Sequence, residues 1–310
     1  MKTLVYVAAE VDRGLLDRLE ADARVELRFQ PATSESDLIA AVSDVEILVS
    51  RYHNPLTASV VASAPHLRLI VQGTSGLDNI DLDAAAARQI TVIGVPGENA
   101  NAVAEYVLGC ILALTRTIPS YSAQMREEIW TRDSCAANRE LRSHTLGIIG
   151  LGRVGSRVAM LAAALGLRSS AFDPYLSSEE ITRTGASDSA SLAQLLRTST
   201  IITVHVPLNA ETRAMIGPSE LALLPRGAIV INAARGPIVD LESVLLSLAK
   251  NHLEGAAIDV FDEEPPRRSW PSDPRLILTP HVAGCSGDSK ESIGERIYEH
   301  IDEYLEKRNQ

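Results

Sequence analysis

Short apolar runs rich in β-branched residues alternate with longer amphipathic stretches over residues 1–100. The apolar runs predict five β-strands, namely TLVYVA, ARVELRF, VEILVS, LRLIVQG and ITVIGV. The stretches between the runs predict helices, namely VDRGLLDRLEA, SESDLIAAV, LTASVVASA and DLDAAAARQ. Strands that alternate with helices at this spacing are typical of a parallel sheet with helices on both faces.

A long helical pattern follows at residues 99–118, and its apolar positions extend beyond one face. A helix of that kind is usually buried on more than one side. We expect Pro119 to close it, since proline cannot continue a helix. Residues 120–143 are polar, carry Trp130, and predict an arm or linker that leads into a second domain.

The strand–helix alternation then resumes and continues almost to the end of the chain. The strands predicted here are LGIIGLG, SSAFDPY, TIITVHVPL, GAIVINAAR, LEGAAIDVF and LILTPHVAG, and the helices include SRVAMLAAALG, SLAQLLRT, PSELALLP and LESVLLSLAK. The last helical segment places Ile293, Ile297, Ile301 and Leu305 on one apolar stripe. No strand follows it, so we expect this helix to return and pack on the first domain.

Composition limits the possible partners. The chain has 310 residues, of which 45% are hydrophobic, enough for two domains with separate cores. The net charge of -11, without a basic run, argues against nucleic acid or an anionic membrane as a partner. Cys110, Cys135 and Cys285 have neither metal-binding nor disulfide spacing, so we expect no metal site and a cytoplasmic location. The N-terminal apolar run is too short for a signal sequence or a membrane span.

A glycine motif, Gly150-x-Gly152-x-x-Gly155, connects the strand LGIIG to an alanine-rich helix. In that context Gly150 permits a tight turn, Gly152 lets the backbone approach a pyrophosphate, and Gly155 lets the helix lie close to the strand. The N-terminus of the helix offers N–H groups to the phosphates. The motif predicts a nucleotide site, although a structural turn is the alternative and S-adenosylmethionine uses a similar loop.

Asp173 stands at the end of the next predicted strand, SSAFD. A carboxylate there accepts hydrogen bonds from ribose hydroxyls and repels a 2′-phosphate. The position of Asp173 therefore favours NAD over NADP.

Three polar residues follow later strands: Arg235 in INAARGPIVD, Glu264 in AIDVFDEEPP and His281 in LILTPHVAG. Ligands of a doubly wound sheet bind at the carboxyl ends of its strands, so we expect all three in one crevice with the glycine loop. Each residue alone has an ordinary structural explanation. Together they suit hydride transfer to a 2-oxo acid, because Arg binds a carboxylate through two hydrogen bonds, His exchanges the proton, and Glu holds the imidazole.

With these motifs, nearly the whole chain resembles the D-isomer-specific 2-hydroxyacid dehydrogenase family, which includes phosphoglycerate dehydrogenases and hydroxypyruvate/glyoxylate reductases. The motifs that carry the resemblance are, in order, GTSGLDNIDL, VPGENANAVAEYVLGCIL, GIIGLGRVG, HVPL, NAARG, DVFDEEP and TPHVAG. The resemblance implies an NAD-dependent enzyme acting on a small 2-hydroxy or 2-oxo acid, with D stereochemistry. It places the catalytic roles on Arg235, Glu264 and His281.

The resemblance also implies the binding residues. The implied cofactor-binding residues are Gly150, Gly152, Arg153, Val154, Gly155, Asp173, His205, Val206, Pro207, Ala233, Ala234, Arg235, Asp259, His281 and Gly284. Among these, the Asp259 carboxylate would hold the nicotinamide amide. Backbone N–H groups of Ser75 and Gly76 would meet the substrate carboxylate, beside Arg235 and His281.

The domain organisation follows from the same resemblance. A Rossmann domain, residues 101–285, would be inserted into a flavodoxin-like substrate-binding domain formed by residues 1–100 and 286–310. Both would be doubly wound parallel sheets, with the substrate in the cleft between them. Residues near 120–143 would form a dimerisation arm, which implies a homodimer.

The particular acid stays open at this point. Arg51 and His53 follow the strand VEILVS, where a cation would suit a second anionic group at C3, as in 3-phosphoglycerate or sulfolactate; the alternative is an ordinary surface pair. If Arg51 does not bind a second anionic group, a general glyoxylate or hydroxypyruvate reductase is favoured. Glu264 argues against a formate dehydrogenase, which carries Gln there. Cys285 follows TPHVAG and could line the cleft or fill a buried space.

Two other classes of protein would also use part of this set of motifs. An NAD(H)-sensing protein of the same fold would keep Arg235, Glu264 and His281, so those residues alone do not exclude it. Such proteins usually carry peptide-docking surfaces or extended tails, and we expect neither here. A methyltransferase would explain the glycine loop and leave the three later residues without a role.

Overall fold

The computed structural model describes residues 2–308, and the chain divides into two compact units. One unit combines the chain up to Asn99 with the segment from Cys285 onward, and the other is Ala100–Gly284. Each unit is built on a single parallel sheet with helices packed on it. The predicted fold class, two α/β domains with parallel sheets, is therefore confirmed.

The first unit contains a five-stranded sheet in the order β2-β1-β3-β4-β5. Its strands are β1 (Thr3–Val7), β2 (Val25–Phe29), β3 (Ile47–Ser50), β4 (Leu69–Gln72) and β5 (Thr91–Gly94), and the helices between them are α1 (Arg13–Ala21), α2 (Glu35–Ala41), α3 (Ala58–Ala62) and α4 (Leu82–Ala87). Each helix begins where a side-chain oxygen accepts a hydrogen bond from a backbone N–H of its first turn. The capping residues are Asp12, Ser34, Thr57 and Asp81.

The second unit contains a seven-stranded sheet in the order β12-β11-β10-β9-β6-β7-β8. The helices α5 (Ala100–Thr115) and α6 (Ile118–Arg126) precede it, and its strands are β6 (Thr145–Ile149), β7 (Arg168–Phe172), β8 (Ser187–Asp188), β9 (Ile201–Val204), β10 (Ala228–Asn232), β11 (Leu253–Ile258) and β12 (Leu276–Leu278). The helices between the strands are α7 (Arg153–Ala164), α8 (Ser178–Arg183), α9 (Leu192–Thr198), α10 (Pro218–Leu221) and α11 (Leu241–Ala249). All of its strand pairs are parallel, so the strands end at one common edge.

The C-terminal helix α12 (Gly287–Arg308) completes the first unit. Its apolar stripe joins the core that also contains Leu15 and Leu19 of α1. Arg24 reinforces the contact, because its Nη2 lies 2.6 Å from Oδ1 of Asp302. The last helix therefore packs on the first part of the chain, as its apolar stripe predicts.

The helix boundaries near residue 118 differ from the prediction. α5 ends at Thr115, Thr117 adopts a left-handed conformation with φ of 55°, and Pro119 lies in the first turn of α6. Proline is tolerated in a first turn because the N–H groups there have no partner within the helix. Pro119 therefore helps to begin a second helix instead of closing the first. The segment predicted as a polar linker also holds two 3₁₀ turns, Arg132–Ala137 and Leu141–Ser143.

Within residues 2–308, no single helix is long and apolar enough to cross a membrane. α5 and α6 reach that length and hydropathy only when taken together, and a bend of 61° separates them.

Candidate active site

The glycine loop follows β6, and two of its glycines are fixed by steric contact. Gly150 has φ of 86°, and a Cβ atom there would lie 2.7 Å from Cγ1 of Val206. A Cβ atom at Gly155 would overlap the carbonyl oxygen of Gly150. Any side chain at either position would therefore push the loop away from β6 or α7.

Gly152 is different, because it precedes α7 and faces open space. A Cβ atom there would have no heavy atom within 4 Å, and no side chain caps the helix. The N–H groups of a first helical turn carry partial positive charge and attract anions. This part of the loop, with Arg153 and Val154 in the first turn, has the space and the donors that a pyrophosphate requires.

Asp173 follows β7 and binds the glycine loop directly. Its Oδ2 accepts a hydrogen bond from the backbone N–H of Leu151 at 2.9 Å, and its Oδ1 accepts one from Tyr175 at 3.1 Å. A carboxylate has about four acceptor positions, so both oxygens can still accept hydrogen bonds from ribose hydroxyls.

The segment His205–Val206–Pro207 follows β9 on the other side of β6. The backbone N–H of His205 donates to Ile149 at 2.7 Å, and its Nε2 lies 3.0 Å from Oγ1 of Thr203. Burial lowers the pKa of His205 to about 4, so its imidazole is neutral at physiological pH. The hydrogen bonds of His205 hold Val206 against Gly150, and the carbonyl of Pro207 accepts a hydrogen bond from Thr212.

Arg235 follows β10 in a loop that Asn232 organises. The Asn232 side chain accepts a hydrogen bond from the backbone N–H of Ala234 at 3.1 Å and donates one to the carbonyl of Arg235 at 3.0 Å. The Arg235 Nη1 donates to the carbonyl of Ala234 at 2.8 Å, and Ala233 packs partly buried against the core. The next residue, Gly236, lies so close to the loop after β11 that a Cβ atom would overlap the carbonyl of Phe261.

Glu264 and His281 form a direct pair after β11 and β12. Oε2 of Glu264 lies 2.7 Å from Nδ1 of His281, and Oε1 accepts a hydrogen bond from the backbone N–H of Phe261 at 3.0 Å. The two side chains are about a quarter exposed, at 26% and 22%.

The electrostatic surroundings keep Glu264 ionised. Burial raises its pKa, but the hydrogen bond and charge of His281, the Phe261 N–H and the charge of Arg235 together lower it below the ordinary value. The structure therefore brings the three predicted residues Arg235, Glu264 and His281 into one electrostatic group in the second unit.

Asp259 supports the loop that carries His281. It is completely buried, and its Oδ1 accepts hydrogen bonds from Oγ1 of Thr279 and from the N–H of Val282. Its Oδ2 accepts one from Ala283, next to Gly284, and its backbone carbonyl accepts one from His281. The contact of this carboxylate with a nicotinamide amide stays a prediction. Sequence reasoning missed the supporting roles of Asp259 and Thr279, because they depend on contacts between loops. It also missed the role of Asn232, although that role is a local turn of the kind that asparagine commonly forms.

In the first unit, Arg51 lies in the loop after β3. Its backbone N–H donates to the Asn54 side chain at 2.7 Å, and its Nη1 lies 3.5 Å from the carbonyl of Glu10. Its Nε is buried and has no hydrogen-bond partner among the described residues. Burial and the charge of Arg51 lower the pKa of His53, so the ring of His53 is mainly neutral.

The loop after β4 carries Ser75 and Gly76. Oγ of Ser75 accepts a hydrogen bond from Gly97 at 3.3 Å, and the carbonyl of Gly76 accepts one from Oγ1 of Thr74 at 3.1 Å. In the described part of the chain, no hydrogen bond uses the backbone N–H of either residue. Cys285, which opens the C-terminal segment of this unit, is exposed, so the alternative of a buried filler is wrong.

No group of three or more metal-ligating side chains occurs among the residues that the structure describes. A parallel sheet whose glycine loop meets an open helix N-terminus, with an acidic residue after the next strand, defines a dinucleotide-binding protein.

Comparison with known proteins narrows that class. Residues 108–283 match the sequence profile of the D-isomer specific 2-hydroxyacid dehydrogenase NAD-binding domain. A D-3-phosphoglycerate dehydrogenase from Mycobacterium bovis is 34% identical, over 90% of this chain and 52% of its own length. A protein of that name from Haemophilus influenzae is also 34% identical, over 92% of this chain and 70% of its own length.

A solved structure agrees with the sequence relatives. A D-lactate dehydrogenase from Aquifex aeolicus, complexed with NAD and lactic acid, superposes with a TM-score of 0.88 at 26% identity, over 98% of this chain and 96% of its own. The chain belongs to the D-isomer specific 2-hydroxyacid dehydrogenase family, and its second unit contains the NAD-binding domain. It spans about half the length of the mycobacterial relative.

Proposed function

We propose that the protein is an NAD-dependent D-2-hydroxyacid dehydrogenase, in which bound nicotinamide exchanges a hydride with C2 of a small 2-hydroxy or 2-oxo acid. The observation that carries this proposal is the 2.7 Å pair of Glu264 and His281 beside the charge of Arg235. A carboxylate, an imidazole and a guanidinium suit an acid that must be bound by its carboxylate and protonated at its C2 oxygen.

The roles of the three side chains follow from their chemistry. Arg235 holds the substrate carboxylate, because a guanidinium offers two parallel donors and keeps its charge. Glu264 accepts a hydrogen bond from Nδ1 of His281, and Nε2 of the same ring is the nitrogen that we assign to the substrate. In reduction Nε2 gives its proton to the C2 oxygen, and in oxidation Nε2 takes the hydroxyl proton.

The proposed cofactor site is the glycine loop together with the segments after β7, β9 and β10. The open space at Gly152 and the α7 N-terminus suit the pyrophosphate, and the acceptor positions left on Asp173 suit the adenosine ribose. A 2′-phosphate beside the Asp173 carboxylate would be repelled, so we propose NAD over NADP. Asp259 and Gly284 would serve the nicotinamide end.

The first unit, residues 1–100 with 286–310 in the predicted boundaries, is proposed to bind substrate. The unengaged N–H groups of Ser75 and Gly76 suit its carboxylate. The buried, unpartnered Nε of Arg51 suits a second anionic group at C3, of the 3-phosphoglycerate or sulfolactate type. A general glyoxylate or hydroxypyruvate reductase is the alternative if Arg51 serves only the local structure.

The arm at residues 120–143 is proposed to bind a second copy of this chain. α6 buries none of its own residues, and Ile118, Met125, Ile129 and Trp130 are exposed, Trp130 by 75%. An apolar group of this kind on one segment is typical of a protein interface. We also propose a cytoplasmic location, which is favoured because Cys110, Cys135 and Cys285 form no disulfide in the described part of the chain.

The first test is NADH oxidation, followed by absorbance, with glyoxylate, hydroxypyruvate, 3-phosphohydroxypyruvate and sulfopyruvate, and with NADPH in parallel. Both enantiomers of each hydroxy acid are offered with NAD, to test the D preference. Turnover that disappears in His281→Ala, while NADH still binds, is the expected result. Tight NADH binding without turnover of any acid would contradict the proposal and favour an NAD(H)-sensing protein.

A further inference from the structure

A continuous chain of hydrogen bonds connects α5 with the loop that carries His281. The hydroxyl of Tyr106 lies 2.7 Å from Oγ1 of Thr279, although 173 residues separate the two. Oγ1 of Thr279 lies 2.5 Å from Oδ1 of Asp259. None of these bonds is needed to build the sheet itself.

The Asp259 carboxylate fixes which groups donate in these hydrogen bonds, because it can only accept. Thr279 has a single hydroxyl proton, and it points to the acceptor Asp259. The Tyr106 hydroxyl must then donate its proton to Oγ1 of Thr279. Burial raises the pKa of Tyr106, so its hydroxyl keeps the proton that this arrangement requires.

Asp259 connects this series of hydrogen bonds to the backbone around His281. Its carboxylate is completely buried and binds the N–H groups of Val282 and Ala283, each at 2.9 Å. A buried carboxylate that loses a donor is costly, so removal of the Thr279 hydroxyl would disturb the remaining bonds.

His281 itself has an unusual backbone conformation that these bonds maintain. Its φ is 55°, in the left-handed region that non-glycine residues rarely adopt. Its N–H donates to the carbonyl of Asp259 at 2.8 Å. Such a conformation persists only where the surroundings determine it strongly. The imidazole direction toward Glu264 therefore depends on how firmly Asp259 holds residues 281–283.

We infer that Thr279, oriented by Tyr106, is a positioning residue that acts through Asp259 to fix the His281 imidazole against Glu264. The inference rests on the proposed function for its kinetic consequences, although the geometry is independent of it. Arg235 is held by Asn232 in a separate loop, so loss of the Thr279 hydroxyl should disturb proton transfer more than binding of the substrate carboxylate.

The test compares four variants with the wild type. Thr279→Val keeps the shape and removes the hydroxyl, Thr279→Ser restores the hydroxyl, and Tyr106→Phe removes only the outer donor. Ser169→Ala is the matched control, because Ser169 is a buried hydroxyl of β7 that has no hydrogen-bond partner among the described residues. Each variant is examined for kcat, KM and the pH profile of reduction, and for the His281 resonance in an NMR pH titration, identified by its absence in His281→Ala.

Thr279→Val is expected to lower kcat by about 10- to 100-fold, with a smaller change in the KM of the acid, since small misplacements of a reacting group have effects of that size. Thr279→Ser should return kcat to within about threefold of the wild type, and Tyr106→Phe should lie between them. The His281 titration should move in Thr279→Val and recover in Thr279→Ser, while Ser169→Ala should match the wild type.

Two results would overturn the inference. One is a Thr279→Val enzyme with the kcat, pH profile and His281 titration of the wild type. The other is a Thr279→Ser enzyme as impaired as Thr279→Val. If Thr279→Val does not fold, Tyr106→Phe is compared with Ser169→Ala instead. A Tyr106→Phe enzyme with the kcat and the His281 titration of Ser169→Ala would then overturn the inference. A wild type without turnover would contradict the proposed function alone, because the NMR titration still tests the positioning of His281.

Discussion

Nδ1 of His281 and Oε2 of Glu264 lie 2.7 Å apart, although the two residues follow different strands and are 17 positions apart in the chain. The same carboxylate accepts the N–H of Phe261 through Oε1, so the loop after β11 fixes its direction. The imidazole is thereby fixed in tautomer as well as in place, because the nitrogen bound to a carboxylate carries the proton.

Glu264→Gln should slow the reduction of a 2-oxo acid by about 10- to 100-fold, since glutamine keeps the shape but loses the charge that favours a protonated imidazole. The alkaline limb of the rate profile for reduction should move to lower pH. The measurement is kcat/KM for the acid between pH 5 and about pH 10, a range that spans the ordinary titration of histidine. A profile unchanged in position would contradict the role of Glu264.

The pH dependence of stability gives a control on the same variant. The pKa of Glu264 in the folded chain lies below its ordinary value of 4.5. A lowered carboxyl pKa stabilises the folded state above the ordinary value, and the stabilisation is lost as the pH falls through the lowered pKa. The difference in thermal stability between wild type and Glu264→Gln should therefore be present at neutral pH and shrink in acid.

Arg235→Lys should raise the KM for the 2-oxo acid by about 10-fold or more, although the charge is retained. Lysine cannot offer the two parallel donors that a carboxylate prefers, and its ammonium group lies at a different point. Steady-state kinetics measures the effect, and NADH affinity from fluorescence titration serves as the control. A lysine enzyme with an unchanged KM would show that charge alone is sufficient.

Gly152→Ala and Gly155→Ala form a matched pair in one loop. The methyl group at position 152 enters open space, so stability should hold while the KM for NADH rises by about 10-fold, because the pyrophosphate must approach the backbone there. The methyl group at position 155 overlaps the carbonyl of Gly150, so the unfolding temperature should fall. Thermal unfolding and NADH titration of both variants separate the two effects. An equal loss of stability in Gly152→Ala and Gly155→Ala would contradict the conclusion that only position 155 lacks space for a methyl group.

Asp173→Asn should reduce the preference for NADH over NADPH by roughly 10-fold, which corresponds to about 1.4 kcal/mol. The amide retains an oxygen for the backbone N–H of Leu151 and removes the charge that repels a 2′-phosphate. The ratio of kcat/KM for the two cofactors measures the change. An unchanged ratio would indicate that another group excludes NADPH.

Arg51→Ala should raise the KM for a dianionic 2-oxo acid, such as 3-phosphohydroxypyruvate or sulfopyruvate, much more than the KM for glyoxylate. The expected reason is a charge-assisted contact between the guanidinium and the group at C3. His53→Ala is a suitable neighbouring control, because burial and Arg51 lower the pKa of His53 and leave it mainly neutral. Equal effects on both acids would assign Arg51 to the local structure.

The sequence predicts the parts of this molecule that depend on local pattern. Eleven of the twelve strands follow from apolar runs, whereas the two-residue strand β8 (Ser187–Asp188) has no apolar residue and was missed. The environment of Gly150 and Gly155 follows from the spacing of the motif, because a tight strand–helix turn excludes side chains at those positions. The α5–α6 break was missed because a proline can end one helix or begin another. α8 was also missed, although Ser177 and Glu180 form a capping box that marks its start.

The supporting contacts of the site could not be predicted in this way. Thr279 reaches Tyr106 across 173 residues, and Asp259 is satisfied by residues more than 20 positions away. Hydrogen bonds between loops of this kind depend on the packing of several strands. The hydrophobic pattern of one segment therefore does not predict them.

The position of α12 has a consequence for how the chain is made. Its apolar stripe covers α1, and Arg24 bonds Asp302, a residue 278 positions later. A ribosome therefore releases the first strands and helices long before the helix that covers them exists. The inserted NAD-binding unit can reach its native state in that interval, since domains generally fold as units during synthesis. The first unit must wait with an apolar face uncovered until α12 has been synthesised.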